Sequence, residues 1–134
     1  MLHLAKREIR ITSPFIDMLY EDIINLKQQN PNIKIKIITR PRKDVTGLRE
    51  RIARNVVGLL NAATSGGVVE SPLIHARLVI IDDTEALISS ADLTRDQLFD
   101  EFNAGILTSD KEVLRRATEF FENIYTMEQA KALE

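Results

Sequence analysis

Apolar and polar residues alternate in two short segments of the N-terminal part, residues 8–15 and 33–40. Strict alternation indicates a strand with one buried face, so each segment is predicted to be a strand. Ser13 and Pro14 end the first of these strands. Between the two strands the apolar positions change to helical spacing, which predicts a helix that runs from Phe15 and is ended by the NPN sequence at 30–32. Its apolar stripe is Phe15, Leu19, Ile23 and Leu26.

The rest of the chain is predicted to contain a second helix, four strands and a third helix. The second helix is stopped by the SGG sequence, and the third is capped by Asp110. Their apolar stripes are Leu48, Ile52, Val56, Leu59, Leu60 and Ala63, and Leu114, Ala117, Phe121 and Ile124. The strands are predicted at 68–70, 76–82, 85–91 and 103–108. This order of elements predicts an α/β domain with a mixed sheet.

Length and composition limit the possible classes of protein. A chain of 134 residues is expected to form one domain, residues 1–134. The opening LAKREI reads as the last turn of a helix whose start is missing, so we expect a fragment of a longer chain. Cysteine is absent, which leaves no disulfide or thiolate metal site and fits a cytoplasmic protein. No apolar run reaches 18 residues and no signal peptide is recognised, so no membrane association is expected.

The stretch LIHARLVIIDD, residues 73–83, places a histidine and an arginine at one end of a strand that is otherwise apolar. If Asp83 and Thr84 form a two-residue turn, the residue numbers of the two members of each cross-strand pair add up to 167. Arg77 then lies opposite Ser90, and His75 lies opposite Asp92. Facing residues in a sheet have Cβ atoms roughly 4.5–5.5 Å apart, so these four side chains are predicted to cluster at the open end of the hairpin.

Asp82 lies at the other end of this strand, about 23 Å from His75 at ~3.3 Å per residue. It is therefore assigned a structural role in the turn. The cluster itself suits phosphodiester cleavage. An arginine offers a fork of donors to phosphate oxygens, a neutral imidazole can attack phosphorus, and a carboxylate can orient the imidazole. This chemistry needs no metal and no other cofactor.

The stretch HARLVIIDDTEALISSAD resembles the HKD motif of the phospholipase D superfamily, H-x-K-x4-D-x6-G-S-x-N. His75, Asp82 and Ser90 match at the right spacings, and the sequences AKREIRITSPFI, LTRDQL and FFENIY are also similar to this family. The resemblance implies a phospholipase D-like mixed β-sheet flanked by helices on both faces. It also implies a hydrolase that acts through a phosphohistidine.

Three motif positions differ from the family pattern. Lysine is replaced by Arg77, glycine by Ser89 and asparagine by Asp92. The family usually continues with N-x-E, whose glutamate orients the histidine, whereas this chain has EFN ending at Asn103. The acid and the amide have thus exchanged places. We interpret Asp92 as the residue that orients His75, and Asn103, together with Ser90, as phosphate-binding groups.

The usual family mechanism needs two histidines, one to attack and one to protonate the leaving oxygen. This chain carries one motif. Small single-motif members of the family form homodimers in which two motifs face each other across a twofold axis. The resemblance therefore implies a homodimer, or a second motif-bearing domain in a longer parent chain.

Basic residues are concentrated between positions 40 and 54, although the net charge is −2. They are Arg40, Arg42, Lys43, Arg49, Arg51 and Arg54. The loop trio of Arg40, Arg42 and Lys43 follows a predicted strand, and ligands of open α/β sheets bind beyond strand carboxyl ends. We interpret this trio, rather than the three helix arginines, as a binding site for a polyanionic backbone. The alternative is that the six residues are only the solvated face of a helix.

Two functions remain open from the sequence. The first is a nuclease-like phosphodiesterase with a dimeric, metal-free site. The second is a catalytically degenerate module that binds nucleic acid or mediates assembly, which the changes at Arg77, Ser89 and Asp92 favour. A phospholipid-directed enzyme is a weaker third reading. The sequence does not distinguish DNA, RNA and other diesters.

Overall fold

The computed structural model describes residues 2–41, 47–94 and 103–133, with the side chains of His3 and residues 47–54 excluded. After a short 3₁₀ turn at Leu2–Leu4, the elements are β1 (Glu8–Thr12), α1 (Tyr20–Gln29), β2 (Lys34–Thr39), α2 (Gly47–Ala63), β3 (Val68–Glu70), β4 (Leu78–Ile81), β5 (Glu85–Ser89), β6 (Gly105–Thr108) and α3 (Lys111–Ala132). The predicted element order is confirmed.

The strands form one mixed sheet in the order β3-β2-β1-β4-β5-β6. β1, β2 and β3 are parallel, whereas β4, β5 and β6 are antiparallel to their neighbours. Helices cover both faces. Ile9 and Ile11 face α1 and α2, while Ile80 faces α3 through Leu114 and Phe121. The predicted α/β fold with helices on both faces of a mixed sheet is confirmed.

The first helix begins five residues later than its apolar spacing predicted, at Tyr20 rather than Phe15. The residues before it make contacts with a distant part of the chain instead. Ile16 forms a parallel bridge with Leu93, and the backbone N–H of Asp17 donates to the Leu93 carbonyl at 3.1 Å. Leu19 then turns the chain with φ of +80°. The segment thus joins the end of β1 to the region that follows β5.

The ends of the other helices follow the sequence signals. The carboxylate of Asp110 accepts from the backbone N–H of Val113 at 3.0 Å, which confirms the predicted N-cap of α3. After α2, Gly66 takes a left-handed φ of +85° and its N–H donates to the Asn61 carbonyl. A Cβ at Gly67 would lie 2.2 Å from the Ile35 carbonyl oxygen, so only glycine fits there.

The predicted register of the β4–β5 hairpin is wrong by one residue. Ile81 pairs with Glu85, and Leu78 pairs with Ile88, so paired positions sum to 166 rather than 167. The turn contains three residues, of which Asp82 and Asp83 have φ of +50° and +59°. Hydrogen bonds from the N-terminal segment to Asp82 hold this longer turn. In the ladder Arg77 therefore lies beside Ser89, not Ser90.

Candidate active site

The candidate site is built on residues 74–77, an extended segment that leads into β4. Its backbone is held from two sides. The Thr12 hydroxyl at the end of β1 donates to the Ala76 carbonyl at 2.8 Å, and the N–H of Ser89 donates to the Arg77 carbonyl at 3.1 Å. Ile74 is buried and anchors the start of the segment. These contacts fix the directions in which His75 and Arg77 leave the sheet.

Arg77 connects His75 with Asp92. Its Nε donates to Asp92 Oδ1 at 2.8 Å, and its Nη1 lies 3.4 Å from His75 Nδ1. The Asp92 side chain is 2% exposed and that of Arg77 is 22% exposed, whereas His75 is on the surface. An accessible imidazole thus lies beside a cation that a buried carboxylate holds in place. The three residues meet through their side chains, not through the predicted cross-strand pairing of His75 with Asp92.

A hydrogen bond from Nη1 of Arg77 to His75 would require one tautomer of the imidazole. A guanidinium has no acceptor, so in this hydrogen bond Nδ1 of His75 must carry the lone pair. The proton of the neutral ring then lies on Nε2. In this arrangement, the nitrogen with nucleophilic character is the one that already contacts Arg77.

Ser90 and Asn103 form a second pair at the adjoining ends of β5 and β6. The Ser90 hydroxyl donates to Asn103 Oδ1 at 2.9 Å and accepts from the N–H of Ala104 at 3.0 Å. Ser90 was predicted to face Arg77 in the ladder, and the register shift contradicts that. Its hydroxyl instead ties the start of β6 to the end of β5.

One member of the predicted basic loop is described by the structure. Arg40 follows β2, and its Nε donates to the carbonyl of Ile74 at 2.9 Å, directly before His75 in sequence. The cation is therefore attached to the segment that carries the histidine. Arg42 and Lys43 lie outside the described residues.

Asp82 lies at the opposite end of β4 from His75. Its carboxylate accepts from the backbone N–H groups of Lys6, Arg7 and Glu8 at 2.7, 2.7 and 2.8 Å. Burial alone would raise the pKa of Asp82, but these three donors outweigh burial and lower it. The residue thus attaches the N-terminal segment to the hairpin turn.

Two residues that the sequence analysis did not single out also position the site. The Ser13 hydroxyl donates to the Phe15 carbonyl at 2.6 Å and accepts from the N–H of Leu93 at 3.0 Å, next to Asp92. Thr12 supports Ala76, as described above. Their only sequence signal is that two small hydroxyl residues directly follow the apolar positions of β1.

The described residues hold no group of three or more histidine, cysteine, aspartate or glutamate side chains that could bind a metal ion. Within the same ranges, no helix has both the length and the apolar character needed to cross a bilayer.

A mixed sheet covered by helices on both faces, with histidine and arginine beside one strand end, is the arrangement expected of a phospholipase D-like domain. The family model described as the cardiolipin synthase, PLD-like domain matches residues 1–125. The chain therefore belongs to the phospholipase D superfamily, whose members are phosphodiesterases and hydrolases. The expected family is confirmed.

Individual relatives are distant. NucT from Helicobacter pylori superposes with a TM-score of 0.72 at 16% identity, over 91% of this chain and 80% of that one. TrmBL2, an archaeal chromatin protein, gives 0.64 at 20% identity, over 94% and 46%. The DISARM protein DrmC of Bacillus paralicheniformis is 23% identical over 120 residues, 85% of this chain. The chain spans about half (49%) of the length of DrmC.

Proposed function

We propose that this domain hydrolyses phosphodiester bonds of nucleic acid, with His75 as the nucleophile and Arg77 as the phosphate-binding cation. The observation that carries the proposal is the contact of Arg77 with both His75 and Asp92. The buried carboxylate fixes the guanidinium beside an exposed imidazole. A phosphate bound to the remaining donors of Arg77 would thus be presented to His75.

The proposed reaction has two steps. In the first, an imidazole nitrogen of His75 bonds to phosphorus, the bond to the leaving oxygen breaks, and that oxygen takes a proton from a general acid. In the second, water attacks the phosphohistidine, gives a proton to the deprotonated acid of the first step, and releases the imidazole. Because one chain carries one motif histidine, the acid is proposed to come from a second copy across a twofold axis or from a second motif-bearing domain.

Attack through Nε2 of His75 would require a change at Arg77. With Nη1 of Arg77 donating to Nδ1, the lone pair is on Nδ1. A bound phosphate that accepts from Nη1 would draw this donor away from the ring, and Nδ1 could then carry the proton. Substrate binding would thereby move the nucleophilic lone pair from Nδ1 to Nε2. Ser90 and Asn103 are proposed to supply further donors to the phosphate.

Nucleic acid is the proposed substrate because the site region carries cations suited to a polyanionic backbone. Arg40 is attached to the His75 segment, and we propose that Arg42 and Lys43, which follow it closely in sequence, also bind the backbone. The likeness to TrmBL2 points the same way, since that protein is described as showing a novel mode of DNA binding.

A second candidate function, a module that binds nucleic acid without cleaving it, is favoured by the same ion pair. Asp92 engages the Arg77 side chain, which lowers its availability for a phosphate. A test for hydrolysis separates the two functions. Wild type should hydrolyse bis-p-nitrophenyl phosphate in EDTA, and His75→Ala should reduce the rate to background. Equal rates in the two proteins would exclude the phosphohistidine, and turnover that EDTA abolishes and a divalent ion restores would exclude metal independence.

The dimeric site is tested by sedimentation of the chain at micromolar concentration. The proposal expects twice the mass of 15.2 kDa. A monomer that retains hydrolysis dependent on His75 would contradict the dimeric mechanism.

A further inference from the structure

A groove of about 490 Å³ lies between α3 and the β4–β5 hairpin. We call it the α3–β5 groove. Its walls include Val113, Arg116 and Phe120 of α3, and His75, Arg77 and Ile88 of the hairpin region. The groove thus includes the two residues to which the proposed function assigns the chemistry. None of its α3 residues was singled out by the motif.

The lining combines cations with exposed apolar surface. Arg77 and Arg116 contribute guanidinium groups, and none of the described lining residues is acidic. Phe120 is 43% exposed and Ile88 is 44% exposed, although both lie in the interior of regular elements. Exposed aromatic and aliphatic side chains beside cations suit a ligand that has both an anionic and a flat apolar part. A nucleotide has both.

Three α3 residues place these groups on one side of the helix. Val113, Arg116 and Phe120 are spaced i, i+3 and i+7, so they share one face. Arg116 donates to Glu112 at 3.0 Å, but its side chain is 75% exposed. Exposed pairs of this kind are weak, so the guanidinium can turn to a phosphate.

We propose that the α3–β5 groove binds the nucleotide next to the scissile phosphate, with its base stacked on Phe120 and the adjacent phosphate held by Arg116. The inference rests on the proposed function, because it takes nucleic acid as the substrate. It adds that the substrate is single-stranded, since the bases of a duplex are already stacked on one another and an aromatic platform needs a free base face.

The test measures binding of a fluorescent 12-nucleotide single strand by anisotropy, in a His75→Ala background that keeps the strand intact. Phe120→Ala should weaken binding about five-fold or more, because one base–aromatic stack contributes that much or more. Phe120→Trp should retain affinity, and Phe120→Leu should not restore it. Arg116→Ala should lower the log–log salt slope by about 0.7, the value for one phosphate contact on a single strand.

Matched controls lie on the same helix. Met127→Ala removes an apolar side chain of similar exposure outside the groove, and Arg115→Ala removes an arginine that also pairs with Glu112. Both should leave the affinity within about two-fold of the parent, which is the usual effect of a surface change. A matched duplex should bind more weakly than the single strand.

Three outcomes would overturn the inference. They are a parent protein that does not bind the single strand, equal affinities for Phe120→Leu and the parent, and a Phe120→Ala variant that dissociates from dimer to monomer in sedimentation. The last would identify the groove as an interface between copies. Failure of the proposed function would appear separately, as equal diester hydrolysis by wild type and His75→Ala.

Discussion

Replacing Asp82 by asparagine should destabilise the fold without touching the candidate site. The carboxylate accepts three backbone hydrogen bonds from Lys6, Arg7 and Glu8, residues at least 74 positions away in sequence. Asparagine keeps the shape of the side chain and tolerates the left-handed φ of +50°. It removes the charge, and it places an NH₂ group where Oδ2 accepts from the N–H of Lys6.

The expected cost follows from these three bonds. Hydrogen bonds to a charged group contribute about 1.5–3 kcal/mol, against about 0.5–1.5 kcal/mol for neutral pairs. The two bonds to Oδ1 should therefore each weaken by about 1 kcal/mol. The bond from Lys6 is lost, at about 1 kcal/mol because Lys6 is exposed and its N–H can turn to water. We expect a loss of about 3 kcal/mol in the free energy of unfolding, or roughly 10 °C in Tm.

Urea and thermal unfolding of wild type, Asp82→Asn and Asp83→Asn would measure this cost. Asp83 is a matched control in the same turn. It has a left-handed φ of +59°, its side chain is 57% exposed, and it accepts from Arg10 Nη1 at 2.8 Å. Arg10 is buried but keeps its pairs with Glu8 and Glu122, so losing the exposed Asp83 carboxylate should cost about 1 kcal/mol or less. If the two variants lose equal stability, the three-bond account of Asp82 is wrong.

The difference between wild type and Asp82→Asn should also depend on pH. The folded state lowers the pKa of Asp82 below its ordinary value of 3.8, so the ionised form is the stabilising one. Its contribution is complete above that ordinary value and is lost as the pH falls through the lowered pKa. The two unfolding curves should therefore converge in acid below about pH 4. A difference that stays constant into acid would contradict the assigned cause.

Three further predictions concern the site and its surroundings. Asp92→Asn should cost about 3 kcal/mol in the free energy of unfolding, the low end for a buried pair, because it leaves the partly exposed Arg77 uncompensated. Arg77→Ala should lower diester hydrolysis by ~10²–10³-fold. Activity that appears only when Arg77→Lys is combined with Asp92→Asn would identify a protein that has lost an ancestral catalytic activity. Reversing Arg40, Arg42 and Lys43 to glutamate should weaken oligonucleotide binding and reduce its salt slope by roughly 0.7–0.9 for each lost phosphate contact, and an unchanged slope would mean that the loop is only a solvated surface.

The sequence by itself determined the type and order of the elements. Alternation at Ile9 and Ile11, the SGG stop after α2 and the cap at Asp110 are local signals, and each corresponds to an observed strand, helix end or cap. The spacing of the HKD-like motif also sufficed to identify the superfamily. Such signals depend on neighbouring residues, which is why they can be read without the fold.

Only the tertiary structure decided the start of α1 and the register of the hairpin. Helical spacing continues back to Phe15, but the bridge of Ile16 to Leu93 uses that segment for a contact between distant parts of the chain. The hairpin could close with two or three turn residues. The N–H groups near Glu8 selected three by binding Asp82, and one extra residue shifts every pair of the ladder.

For the candidate site too, the sequence determined one part and the tertiary structure decided another. The sequence placed a histidine, an arginine and a carboxylate near one strand end, because their types and spacing follow the motif. The predicted pairing of His75 with Asp92 was wrong, because His75 lies before the start of β4 and Asp92 lies after the end of β5. Arg77 joins them instead through a flexible side chain, and Phe120 reaches the same groove from a helix that follows much later in the chain. Contacts of this kind depend on side-chain direction and on packing between elements, which no local pattern encodes.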